Sequence, residues 1–141
     1  MPHVAAAPRL ARARHRGHGQ TGAATVELTI IFPVILLLIF GIVQATVWYH
    51  GRTLAMLTAQ DGLRAAQALN GTAAEGREQA VEALAGNGAS GFLTDPAVAA
   101  TRTSTTVTIT VTARSVALLP GTGLPITQHA AGPVERIPET P

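Results

Sequence analysis

The sequence predicts an α+β chain in which a long N-terminal helix is followed by a short second helix and a small antiparallel β-meander. Three observations lead there. An uncharged apolar run extends from Leu28 to Tyr49, small and apolar residues then recur at helical spacing to about residue 70, and a strict alternation covers Thr106 to Arg114.

The run LTIIFPVILLLIFGIVQATVWY has 22 residues and no formal charge. As a helix rising ~1.5 Å per residue it covers about 33 Å, enough for a hydrocarbon core of ~30 Å. Trp48 and Tyr49 close it where an aromatic belt sits at the lipid boundary, and His50 and Arg52 follow in the polar zone. Trp48, Tyr49 and Arg52 are therefore expected as membrane-interface anchors. A chain of 141 residues has too little other apolar surface to bury such a helix inside a soluble fold. A cleavable secretory signal is the competing reading, but its apolar region is usually ~7–15 residues long. The segment Gln44-Ala45-Thr46-Val47-Trp48-Tyr49 is also a poor cleavage site. Within the run, Pro33 cannot donate to the carbonyl of Thr29, so a local kink is expected there.

Charge sets the orientation. Arg9, Arg12, Arg14 and Arg16 precede the run with no acid among them, whereas from Glu27 onward six Arg face eight acids. The basic pI of about 10.4 thus belongs to a short leader, and it argues for no nucleic-acid partner. By the positive-inside rule the N-terminus is cytoplasmic and the residues after about 50 face outward.

Past the bilayer, Ala55, Ala59, Leu63, Ala66 and Leu69/Asn70 line one side of a continuing amphipathic helix, with Arg52, Gln60, Asp61, Arg64 and Gln67 elsewhere. Gly51, Ala55 and Ala59 form a small-residue face suited to close packing against a neighbouring helix. Asn70-Gly71 ends the helix. Thr72 to Ala85 reads as the second helix, with Thr72 and Glu75 spaced as a capping box, Val81 and Leu84 as a thin apolar face, and Gly86-Asn87-Gly88 as the stop. Glu75, Glu78 and Glu82 make a solvated acidic face. In the alternating segment Val107, Ile109, Val111 and Ala113 share one face, a half-buried strand. Val98 to Arg102 is its hairpin partner across a turn near Thr103-Ser104, and a third strand is expected at 125–130. The strands are expected to lie against the long helix, and the Pro-rich end GPVERIPETP to be extended or mobile.

The sequence contains no Cys, which excludes disulfides and thiolate metal sites. It shows no nucleotide loop, no metal-ligand spacing and no nucleophile beside a base. No cofactor, small-molecule substrate or catalytic activity is expected. Of His3, His15, His18, His50 and His129, three lie in the leader.

The residues before the apolar run carry the sharpest signal. Glu27 sits at the mouth of the run, where a carboxylate is costly without a partner. A cut after Gly22 would give Ala23 a new α-ammonium and make Glu27 the fifth residue, one helical turn away. The acid could then neutralise that amine or a neighbouring subunit's, and so set the register between subunits. A cut after Gly17 or Gly19 would place Gly22 or Ala24 there instead. The arrangement resembles the type IV prepilin signature.

More narrowly, GAATVELTIIFPVILLLIFGIVQ resembles the TadE-like family, pilin-like proteins of tight-adherence (Flp) pilus machinery. The shared pattern is Gly, small residues, Val-Glu, then Pro33 in a Leu/Ile-rich helix; Leu28 stands where the family often has Phe. The resemblance is close from Arg16 to Arg52 and looser through TVTITVTAR, LLPG and GPVER. It implies a pilin-like fold and a minor pilin or pseudopilin, membrane-anchored and cleaved between Gly22 and Ala23 by a prepilin peptidase. Other pilin-like subunits and the membrane platform proteins are the implied partners. The expected organisation is a leader 1–22, a membrane segment 23–52 with its core at 28–49, an extracytoplasmic domain 53–131 and a tail 132–141. Two alternatives stay open: an unprocessed single-pass membrane adaptor, and a secreted binding module released by signal peptidase.

Overall fold

The structure, a computed structural model, describes residues 20–135, with side chains from Val26 onward. The basic leader before Gln20 and the last six residues of the Pro-rich tail lie outside the described residues. The chain divides into two compact units, one ending at Leu37 and the other beginning at Leu38. The described part of the first is helix alone. The second holds every other element.

Helix α1 spans Gln20–Gln67 and contains Pro33. It ends three residues before the expected stop, and Asn70 then adopts φ 65 while the Gly71 N–H bonds the Ala68 carbonyl at 2.8 Å. A short polar side chain tolerates this left-handed geometry better than most, which is why Asn closes helices. Helix α2 spans Ala73–Gly86 behind the expected capping box: Thr72 Oγ1 accepts from the Glu75 N–H, and the Glu75 carboxylate accepts from the Thr72 N–H at 2.8 Å. Gly88, at φ 68, turns the chain away.

Three antiparallel strands follow in the order β1 (Leu93–Arg102), β2 (Thr106–Ser115) and β3 (Pro125–Pro133). Strand β2 is central, and its Val107, Ile109, Val111 and Ala113 are buried as the alternation predicts. Strand β1 begins five residues earlier than expected. A bulge between Thr94 and Ala97, with Asp95 at φ 50 and Pro96 beside it, breaks the alternation that would have revealed those residues. Strand β3 extends to Pro133, and the Val134 and Glu135 N–H groups bond the Thr105 and Gln67 carbonyls at 3.0 and 3.2 Å. The start of GPVERIPETP is therefore extended and tied to the domain.

One core joins these elements: Leu54, Ala55, Ala59 and Ala66 of α1, Ala80 and Leu84 of α2, and Leu93, Val107, Ile109, Val111, Ala113, Ile126 and Ala130 of the sheet. The sheet thus covers the C-terminal half of α1, as expected. The face of Gly51, Ala55 and Ala59 is correspondingly not free for a neighbouring helix. Ala55 and Ala59 are wholly buried, and a Cβ built on Gly51 would lie 2.9 Å from Leu93 Cδ2 and 3.1 Å from Ile126 Cδ1. Helix α2 approaches α1 at a pair of glycines. A Cβ on Gly62 would meet the Gly76 carbonyl at 2.6 Å, and one on Gly76 would meet Ala66 Cβ at 2.5 Å.

Candidate functional site

The functional features gather along α1. From Val26 to Val43 every residue is exposed, including Phe32, Leu36, Leu37, Leu38 and Phe40. Exposing this much Ile, Leu and Phe to water is strongly unfavourable at ~25 cal/mol per Å² of apolar surface. By length and composition this helix can cross a membrane. One long apolar helix near the N-terminus suggests membrane anchoring.

At the head of the run Glu27 is exposed, and among the described residues no cation pairs with it. Gly22 and Ala23 lie in the first turn of α1, but their side chains fall outside the described residues. Pro33 lies among exposed apolar neighbours within α1.

The run ends at a contact that sequence reasoning missed. Gln44, read as part of the apolar stretch, is held by the connection between β2 and β3. Its Nε2 donates to Ser115 Oγ at 3.3 Å and to the Val116 carbonyl at 3.1 Å, while its Oε1 accepts the Leu118 N–H at 3.1 Å. Ser115 Oγ also accepts the Leu124 N–H at 3.0 Å. One turn further on, Trp48 Nε1 donates to the Pro125 carbonyl at 3.2 Å. Residues four apart share a helix face, so a single face of α1 grips both ends of the loop. The available signal was that Gln44 is the one carboxamide within the run.

The other expected anchors lie beside this grip. The Arg52 guanidinium carbon stands 5.9 Å from the Trp48 ring centre, within cation–π range, and Tyr49 is exposed. The His50 ring packs against Phe92 at 4.5 Å between centroids. Trp48, Tyr49 and Arg52 are thus brought together, whereas Glu27 and Pro33 lie in the first unit. On α2, Glu75 serves the cap and Glu78 and Glu82 are exposed. No group of acids and histidines suited to a metal occurs among the described residues.

Residues 22–64 match the family model described as TadE-like protein. Over these residues, less than a third of the chain, it is similar to TadE-like proteins. The matched segment begins at Gly22, includes Glu27 and Pro33, and runs through Gln44, Trp48 and Arg52 into the buried face of α1. TadE-like proteins are structural components of pilus assembly, and the match points to such a role for this chain. No curated protein and no solved structure matches the chain.

Proposed function

We propose that this protein is a membrane-anchored minor pilin or pseudopilin of tight-adherence pilus assembly or a related secretion apparatus, matured by a prepilin peptidase that cuts between Gly22 and Ala23. The observation that carries the reading is Glu27: an exposed carboxylate without a cation among the described residues, at the head of an exposed apolar helix, inside the TadE-like segment. A carboxylate at the lipid border gains most from a nearby ammonium, and the new amine of Ala23 supplies one, in the same subunit or the next.

In this reading α1 crosses the bilayer over its exposed stretch Val26–Val43, shorter at its far end than the expected core 28–49 because Gln44 and Trp48 are tied to the domain. At ~1.5 Å per residue it covers about 27 Å, close to the ~30 Å of a hydrocarbon core. The leader stays in the cytoplasm and the α+β domain stands outside. Trp48, Tyr49 and Arg52 lie at the outer boundary. Pro33 loosens the helix where it passes from lipid into an assembly. The partners are the peptidase, other pilin-like subunits and the membrane platform proteins; nucleic acid and small-molecule substrates have no part. The grip of Gln44 and Trp48 on the β2–β3 loop supports retention of the helix, because signal peptidase cutting beyond residue 44 would remove Gln44 from it.

Co-expression with a matching prepilin peptidase is expected to yield a product beginning at Ala23, read by intact mass. Glu27→Ala is expected to leave that cleavage in place and impair co-purification with partner subunits. A product that retains Met1 to Gly22 beside an active peptidase would overturn the reading.

A further inference from the structure

We propose that the β2–β3 loop, Val116–Leu124, is a second membrane-contacting element that seats the outer domain in the headgroup and acyl-chain boundary beside α1. The proposal rests on the membrane-anchored reading above and goes beyond it, because it assigns lipid contact to a part of the folded domain.

The first support is position. The loop is held at Gln44, the residue directly after the exposed apolar run, through the Val116 carbonyl and the Leu118 N–H. Its other end is held one turn outward, where Pro125 bonds Trp48. The exposed side chains of Phe40, Ile42 and Val43 therefore end where the loop begins.

The second is composition. Leu118, Leu119 and Leu124 are exposed at 42%, 39% and 43%. No Asp, Glu, Arg or Lys occurs from Ser115 to Val134. Three exposed leucines in an uncharged loop lose apolar hydration cost on entering the acyl boundary.

The third, and most selective, is the backbone. Irregular chain is tolerated near lipid only when its polar groups find partners. Here the Ser115 N–H bonds the Leu124 carbonyl at 2.8 Å and the Val116 N–H bonds the Phe92 carbonyl at 2.9 Å. The Leu118 N–H bonds Gln44, the Leu119 N–H bonds Thr122 Oγ1 at 3.3 Å, and the Leu124 N–H bonds Ser115 Oγ. The Thr122 N–H reaches the Leu119 carbonyl at 3.1 Å, and Pro120 has no N–H to satisfy. Five of the loop's eight backbone N–H groups are thus bonded within the protein, those of Ala117, Gly121 and Gly123 being the exceptions, while the leucines face out. At the rim, Arg114 Nη2 donates to the Gly123 carbonyl at 2.6 Å, which sets a cation at headgroup level.

The absence of Cys permits single nitroxide labels in the full chain, reconstituted at low protein-to-lipid ratio into vesicles of phosphatidylcholine and phosphatidylglycerol. Labels at Leu119→Cys and, independently, Leu124→Cys are compared with Ile39→Cys on the apolar helix and Thr101→Cys on β1. Collision with oxygen and with an aqueous nickel chelate is the readout. The proposal expects a ratio of oxygen to nickel accessibility several-fold higher at both loop positions than at Thr101. Loop labels as open to nickel as Thr101, with Ile39 in lipid, overturn this proposal and leave the anchored reading intact. An Ile39 label open to nickel overturns both. Loop labels shielded from oxygen and nickel alike identify a protein cover, such as a second copy, and also overturn it.

Discussion

The two halves of α1 invert the usual relation between residue size and burial. From Val26 to Val43 the large residues Phe32, Leu36, Leu37 and Phe40 are exposed. From Gly51 to Ala66 the residues withdrawn from solvent include Gly51, Ala55, Ala59, Gly62 and Ala66. Hydropathy alone ranks the halves the wrong way round for a protein in water. The C-terminal half is buried because small residues let the sheet and α2 come close, as the collisions of an added Cβ at Gly51 and Gly62 attest. In the membrane-anchored reading proposed above, the first half needs no such fit, because a bilayer is a solvent that conforms to any apolar surface.

The largest expected effect comes from a matched pair of truncations. Ile109→Ala removes the side chain of a wholly buried residue on β2, and about 2–5 kcal/mol of domain stability is expected to go with it. Leu37→Ala deletes a similar volume from the exposed half, and the denaturant midpoint of the detergent-solubilised domain is expected not to move. Equal shifts for the two would break the comparison.

Gly76→Ala sharpens it. The new methyl would meet Ala66 Cβ at 2.5 Å and the Gly62 carbonyl at 2.8 Å, contacts that neither backbone can easily relieve. A loss of roughly 1–3 kcal/mol is expected in the same unfolding assay. Gly41→Ala, where nothing lies within 4 Å of the added methyl, is the control.

The smallest effect concerns Thr58, which is wholly buried on α1 with a hydroxyl that has no hydrogen-bond partner. Replacing an unsatisfied hydroxyl with a methyl of the same shape removes a desolvation cost of ~1–3 kcal/mol. Thr58→Val, which exchanges one β-branched residue for another of similar helix preference, is therefore expected to hold or raise the unfolding midpoint.

The elements themselves were legible because their signals are local. Thr72 and Glu75 mark the start of α2, Asn70 the close of α1, and the spacing of Val107, Ile109 and Val111 the pleat of β2. The bulge at Asp95-Pro96 hid the first half of β1, because it breaks the period on which a strand is recognised. Gln44 escaped for a different reason. Its four partners lie more than seventy residues away, at Ser115, Val116, Leu118 and Thr122, and a lone amide in an apolar run carries no sign of where it will bond.

By itself the sequence determined that one helix would be apolar throughout its first half, that an acid would stand at its head, and that an α+β domain would follow. These follow from composition and short-range period, which act within a few turns of chain. Only the tertiary structure decided which residues of α1 belong to the domain and which are left bare. It turned the small-residue face inward and set the boundary at Gln44. The reason is that burial and hydrogen bonding between distant segments depend on how closely two backbones can approach, a property of the packed pair and of neither segment alone.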